Sequence, residues 1–248
     1  MHERSSIAAL FEDLAEPFTA EALFDQMPDT VFFIKDAGGR YVCVNQTLVS
    51  RCRKRSKSQV LGRTPSAVFG TDLGRDYEAQ DRSVIRSGRR LLDKLELHVH
   101  RPRELGWCLT SKLPLAGKDG KIVGLVGVSR DLKLPDVASS EFEQIAEAIS
   151  YAESRLAAPP AVAELAAIAS MSAYQLDRRM KRLFGLSTGQ WLLKTRIDRA
   201  SRQLTETALS VTDIALDCGY KDHSAFARQF RRTTGRTPSE FRRWGRYG

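Results

Sequence analysis

Cysteine is scarce in this sequence of 248 residues, and its spacing excludes two classes of protein. Cys43, Cys52, Cys108 and Cys218 are scattered. They make neither a zinc-ligand spacing nor a disulfide framework, so a reducing compartment and small core thiols are expected. No stretch approaches 18 apolar residues, which excludes a membrane-spanning helix. Met1 to Leu10 is too polar for a secretory signal, so a cytoplasmic location with no membrane partner is expected. Residues 1–135 hold no Cys/His cluster, phosphate loop or nucleophile motif, and the chain is accordingly not read as an enzyme.

Charge is present but unevenly placed. Of the net +9, residues 157–248 supply +8, from 16 Lys and Arg against 8 Asp and Glu, while residues 1–156 are nearly balanced. A basic half of this kind is an electrostatic footprint for phosphate, although charge alone fits a merely soluble basic surface equally well. The length accommodates two domains, each able to bury its own core.

The amino-terminal half alternates in period. Ile7, Leu10, Phe11 and Leu14 recur at helical spacing, which predicts a leader helix within residues 1–21. Val31 to Ile34 and Tyr41 to Val44 are short apolar runs around Asp36-Ala37-Gly38-Gly39, a hairpin by its chemistry. Residues 46–88 are polar and helical, broken at Gly62, Pro65, Gly70 and Gly74. Three more strands follow. In the first, Leu95, Leu97 and Val99 alternate with Lys94, Glu96, His98 and His100, which predicts one buried face and one wet face. Residues 106–115 form the next strand, and Ile122 to Ser129 is apolar on both faces, as in a central strand. Met27-Pro28-Asp29, the Asp36 to Arg40 hairpin, Val44-Asn45, Leu61-Gly62-Arg63 and Gly127 to Asp131 together resemble the PAS domain family. The resemblance covers residues 22–132 and implies a five-stranded antiparallel sheet with helices, serving to sense a small molecule or to dimerise.

Residues 133–159 are expected to form a helical linker. Phe142, Ile145, Ala146, Ile149, Ala152 and Leu156 make an apolar seam on a charged helix. Such a seam suits a partner helix in a dimer or packing on its own domain. Ala157-Ala158-Pro159-Pro160 ends it.

Residues 160–248 contain one helical pattern twice. Val162 to Ala166 precedes Val211 to Ala215 by 49 residues, whereas Arg178 precedes Arg228, and Gly185 precedes Gly235, by 50. The slip falls between the first and second helix of each copy. Each copy reads as short helix, turn, basic helix, Gly and capped helix, the order of a helix-turn-helix. Ser187 with Gln190, Ser210 with Asp213 and Thr237 with Glu240 read as capping boxes, and Ser172 and Asp222 as caps of the basic helices. Ile214 to Arg232, with Gly235, Thr237-Pro238 and Phe241-Arg242, resembles the AraC/XylS transcription-regulator signature.

That resemblance implies an all-α tandem helix-turn-helix domain that binds double-stranded DNA, a homodimer, and RNA polymerase as a partner. Base-contact candidates are Tyr174, Gln175, Asp177, Arg178, His223, Ser224 and Arg228; phosphate-contact candidates are Lys181, Arg182, Lys221, Arg231 and Arg232. Asp177 is the departure, because a carboxylate repels phosphate. For the sensor half, pocket candidates are Phe33, Phe69, Trp107 and Leu125. No cofactor is evident: residues 72–88 carry no haem-ligating His, and no Asn-Cys pair marks a flavin site, which leaves an unspecified small molecule. His98 and His100 share a strand face but sit among Lys94 and Glu96, so a solvated face is preferred to a metal site. The competing reading is a sensing or interaction scaffold with only non-specific DNA affinity.

Overall fold

The computed structural model describes residues 11, 14, 15, 17–101, 104–132, 135 and 138–247. The expected leader helix therefore lies largely outside the described residues. The amino-terminal elements are α1 (Glu21–Asp25), β1 (Thr30–Asp36), β2 (Tyr41–Val44), α2 (Gln46–Arg51), α3 (Pro65–Phe69) and α4 (Thr71–Ser87). They are followed by β3 (Leu91–Arg101), β4 (Glu104–Ala116) and β5 (Ile122–Asp131). The five strands make one sheet in the order β2-β1-β5-β4-β3, so β5 is central, as its two apolar faces require.

The hairpin forms because Asp36 closes it: its carboxylate accepts from the Arg40 backbone N–H at 2.8 Å, and Gly39 takes a φ of 76° that a Cβ would oppose. Asn45 then fixes the exit from β2. Buried completely, its Oδ1 accepts from Phe32 and Leu48 backbone N–H groups, and its Nδ2 donates to the Phe24 and Thr30 carbonyls. One side chain thereby caps α2 and stitches it to β1.

Two compact units divide the chain: residues 1–91 with 111–129, and residues 92–110 with 130–248. In the first, Val31, Phe33, Tyr41, Val44, Leu48, Val84 and Leu125 form the core, with Phe69 packed against it. Beside it lies a cluster that residue patterning did not predict. Lys35 and Lys112 both donate to the one Asp81 carboxylate, at 2.5 and 2.6 Å, and all three side chains are at most 3% exposed. The Lys35 ammonium also lies 4.3 Å from the centre of the Tyr41 ring.

The second unit holds the rest: α5 (Ser140–Ser154), α6 (Val162–Ile168), α7 (Ala173–Phe184), α8 (Thr188–Glu206), α9 (Val211–Asp217), α10 (His223–Thr234) and α11 (Pro238–Tyr247). Its core joins Leu95, Leu97, Trp107 and Leu109 of the strands to Ile145, Ala148, Ile149 and Ala152 of α5, and to Leu165, Leu176, Met180 and Trp191. The α5 seam is thus covered within the chain. The wet face expected on β3 is a correction: the Glu96 and His98 side chains are only 6% and 18% exposed. Alternation sorts residues into two faces but does not say which face stays open, and here Glu96 and His98 are largely covered while Lys94 keeps 27% of its side chain exposed.

Candidate nucleic-acid interface

Helix starts repeat at 162 and 211, at 173 and 223, and at 188 and 238, which places the slip between the first and second helix of each copy. Its position can be narrowed further. The Met171 N–H donates to the Ala166 carbonyl and the Tyr220 N–H to the Ala215 carbonyl, still 49 residues apart. The left-handed turn residues, Ser170 and Gly219, are also 49 apart. The next caps, Ser172 and Asp222, are 50 apart. Lys221 is therefore the inserted residue.

Four caps set where the helices begin. Ser172 with Gln175, Ser187 with Gln190, and Thr237 with Glu240 make reciprocal boxes. Asp222 accepts from the Ala225 N–H at 2.7 Å. The expected box at Ser210 is only half formed: its hydroxyl accepts from the Asp213 N–H but donates to the Asp213 carboxylate. Asp is one methylene shorter than Glu, and its carboxylate meets the hydroxyl in place of the Ser210 backbone N–H.

With those starts fixed, α7 turns Leu176 and Met180 inward and α10 turns Phe226 and Phe230 inward. Tyr174, Gln175 and Arg178 are exposed on α7, as are His223, Ser224 and Arg228 on α10. The pattern of exposure matches at an offset of 50 from residues 173–182 to 223–232, apart from positions 175 and 225. Among the described residues, the side chains of Tyr174, Arg178, His223, Ser224 and Arg228 make no hydrogen bond or ion pair within the protein.

Two candidates are committed elsewhere. Gln175 uses its Oε1 in the Ser172 box. Asp177 is half-buried; its Oδ1 accepts from the Thr188 backbone N–H at 2.8 Å, and its Oδ2 lies 3.3 Å from Lys181. Partial burial opposes its ionisation, but the Thr188 and Lys181 contacts outweigh that and hold its pKa below the usual carboxylate value. This carboxylate ties α7 to the first turn of α8, where negative charge is favoured by the helix dipole.

Of the phosphate candidates, Lys181, Arg182, Lys221, Arg231 and Arg232 are all exposed. Lys181 is paired with Asp177, and Arg182 with Glu141 of α5 at 3.1 Å. Both are surface pairs of a kind worth at most about 1 kcal/mol, so a phosphate can displace them.

The frame under α10 is held from α8. Arg196 donates from Nε to the Cys218 carbonyl at 2.6 Å and from Nη2 to the Gly219 carbonyl at 2.9 Å, and it stacks 3.9 Å from the Tyr220 ring centre. A guanidinium on the part-buried carbonyls closing α9 satisfies acceptors that the helix leaves open. Behind it runs an aromatic ladder: Tyr220, Phe226, Phe230, Phe241 and Trp244, each 5.2–5.4 Å from the next. The first copy has Leu176 and Met180 in place of Phe226 and Phe230, and α5 fills the space with Ile145 and Ile149.

Of the four pocket candidates in the sensor half, Phe33, Phe69 and Leu125 lie together in or against one core. Trp107 does not join them. It belongs to the second unit's core, and its indole N–H donates to Asp198 at 2.7 Å. The parity of β4 explains this: Trp107 and Leu109 point one way, and Cys108 and Thr110 the other. Sequence reasoning missed Lys35, Asp81 and Lys112. Lys35 has the same strand parity as Val31 and Phe33, and that was the available signal.

A short helix, a turn and a capped basic helix, repeated around a connecting helix, define a DNA-binding helix-turn-helix protein. Residues 165–243 match the helix-turn-helix domain family and residues 24–134 match the PAS fold family. The chain thus carries an AraC-type helix-turn-helix domain behind a PAS fold, and its relatives are transcriptional regulators. It is 25% identical over 238 residues to the HTH-type transcriptional activator RhaS of Klebsiella pneumoniae, covering 92% of this chain and 83% of that one. It is 38% identical over 85 residues to the transcriptional activator NphR of a Rhodococcus species, covering 33% of this chain and 24% of that one. It thus spans most of one relative and about a quarter of the other. A solved transcriptional regulator of the AraC type from Chromobacterium violaceum is 28% identical, covering 42% of this chain and 94% of that one with a TM-score of 0.40. Among the described residues, no helix is long and apolar enough to cross a membrane.

Proposed function

We propose that the chain reads two unlike half-sites on double-stranded DNA, with Tyr174 and Arg178 of α7 at one and His223, Ser224 and Arg228 of α10 at the other. The observation that carries this is the partition of polar side chains. The five named residues are exposed and unspent within the protein, while Gln175 and Asp177 are spent on capping α7 and tying it to α8. Those two are positioning residues in this reading. Lys181, Arg182, Lys221, Arg231 and Arg232 contact phosphate and set register. The sensor half, residues 22–132, acts through the linker at 133–159 on the reader at 160–248, and a homodimer recruits RNA polymerase.

Selection of bound DNA by the full chain tests the reading. Arg178→Ala and Arg228→Ala each relax sequence preference at one half-site only, each costing about 1–3 kcal/mol on the preferred site. Uniform weakening across all sequences by both variants would favour the scaffold with non-specific affinity.

A further inference from the structure

Two strand residues and one from the neighbouring strand converge on chemistry that the DNA-reading function does not use. Glu96 and His98 are two apart on β3 and so share a face; Cys108 lies on β4. The Cys108 sulfur is 3.5 Å from His98 Nδ1, and His98 Nε2 is 3.5 Å from Glu96 Oε2. One ligand atom from each of the three lies within 4.8 Å of the others. Cys108 is a free thiol and fully buried.

We propose that Glu96, His98 and Cys108 form a three-ligand site for a zinc-like divalent transition metal, with a fourth coordination position left for an exogenous ligand. The spacing suits it. Zinc–sulfur and zinc–nitrogen bonds of about 2.3 and 2.0 Å at a tetrahedral angle put sulfur and nitrogen about 3.5 Å apart. The widest separation here needs to contract by about 1 Å, which rotation of the long Glu96 side chain supplies. Thiolate, imidazole and carboxylate together select zinc and its soft neighbours over calcium or magnesium, which take oxygen ligands alone.

The surroundings complete the set. Lys94 donates to Glu96 Oε1 at 2.8 Å, and Thr110 Oγ1 lies 3.9 Å from the Cys108 sulfur. These are contacts of the kind that orient ligands and tune their basicity. A thiolate and a carboxylate balance a divalent cation.

The site also has a mechanical neighbour. The alternate residues of the same strands, Leu95, Leu97, Trp107 and Leu109, belong to the core shared with α5, α6 and α7. Metal binding at Cys108 therefore acts on the backbone that carries Trp107.

The test uses the full chain, stripped with a chelator under reducing conditions and dialysed against Zn²⁺ or Co²⁺. The expected result is one bound zinc per chain and, with cobalt, a thiolate-to-metal charge-transfer band. Cys108→Ser abolishes that band and weakens metal binding by more than the roughly 10–100-fold that loss of an outer-shell partner costs, while Cys43→Ser leaves both unchanged. A measurement on the unaltered chain covers the event that Cys108→Ser fails to fold: zinc slows alkylation of Cys108, located by peptide mapping, but not of Cys43. Substoichiometric zinc, a cobalt spectrum without a sulfur band, or alkylation of Cys108 indifferent to zinc would each overturn the site. None of these readouts involves DNA, so they stand apart from the reading of the two half-sites.

Discussion

Lys221 is the residue by which the second copy exceeds the first, and Ser170 shows what the difference costs locally. Both copies place a left-handed residue at the turn, with φ 52° at Ser170 and 73° at Gly219. A side chain there is disfavoured by roughly 1–2 kcal/mol. Ser170 is exposed and caps nothing, so Ser170→Gly should raise unfolding free energy by about 1 kcal/mol in a urea titration. Gly219 is not interchangeable in the other direction. A Cβ there would lie 2.4 Å from the Leu156 carbonyl and 2.6 Å from Pro159, so Gly219→Ala should cost more than the conformational term alone. Equal and opposite effects would show that the contact with residues 156–159 contributes nothing.

The buried lysines make a second residue-scale prediction. Desolvation and Lys112 lower the Lys35 pKa to about 8, against the pull of Asp81. The unfolded chain, with a lysine near 10.5, then binds more protons than the folded chain between those values. This group's contribution to stability accordingly rises as pH climbs from about 8 to 10.5. Wild type should gain stability relative to Lys35→Met over that interval, and parallel curves would contradict the arrangement. Asp81→Asn, which leaves two ammonium groups facing each other in the core, should cost about 3–5 kcal/mol at pH 7.

At the scale of elements, α9 is a seven-residue helix too short to persist alone, and its ends explain why it forms. Ser210 caps one end and Arg196 satisfies carbonyls at the other. Asp213→Glu should complete the reciprocal box and add about 0.5 kcal/mol; Arg196→Met should remove about 1–3 kcal/mol by stripping two part-buried carbonyls of a charged donor. Both are read from thermal or denaturant unfolding of the full chain. Much of this was legible beforehand. Ser172, Ser187, Asp222 and Thr237 are local signals acting over three residues, and the helix order followed from them. The central position of β5 followed from its two apolar faces. What was not legible depended on contacts distant in sequence. Trp107 meets Asp198 from 91 residues away, and nothing in the local pattern around either residue announces it. Asp177 looked misplaced on a DNA-facing helix until Thr188, eleven residues on, supplied its partner. The seam of α5 could have served a dimer or the chain's own core, and helical periodicity is identical in the two cases.

For the whole molecule, the decisive quantity is how binding responds to salt. Each neutralised phosphate contributes about 0.9 to the slope of log affinity against log salt on duplex DNA. Removing the amino-terminal half to isolate that slope is a poor experiment. Leu95, Leu97, Trp107 and Leu109 are core residues of the unit that also holds α5 and α7, so truncation at residue 135 would expose apolar surface and mix folding with binding. Substitutions in the intact chain avoid this. Lys221→Ala and Arg232→Ala remove cations with no ion pair among the described residues, and each should lower the slope by about 0.9 while leaving the order of preferred sequences unchanged. Arg182→Ala should lower it by less, because Glu141 already holds that guanidinium and phosphate binding there displaces a protein carboxylate as well as counterions. Glu141→Gln frees the same side chain, so it should strengthen binding to all sequences alike, by an amount that shrinks as salt rises. Fluorescence anisotropy on one preferred and one scrambled duplex, at several salt concentrations, separates these cases. A change in the ranking of sequences on losing Lys221 or Arg232 would move those residues from the phosphate backbone to the base edges.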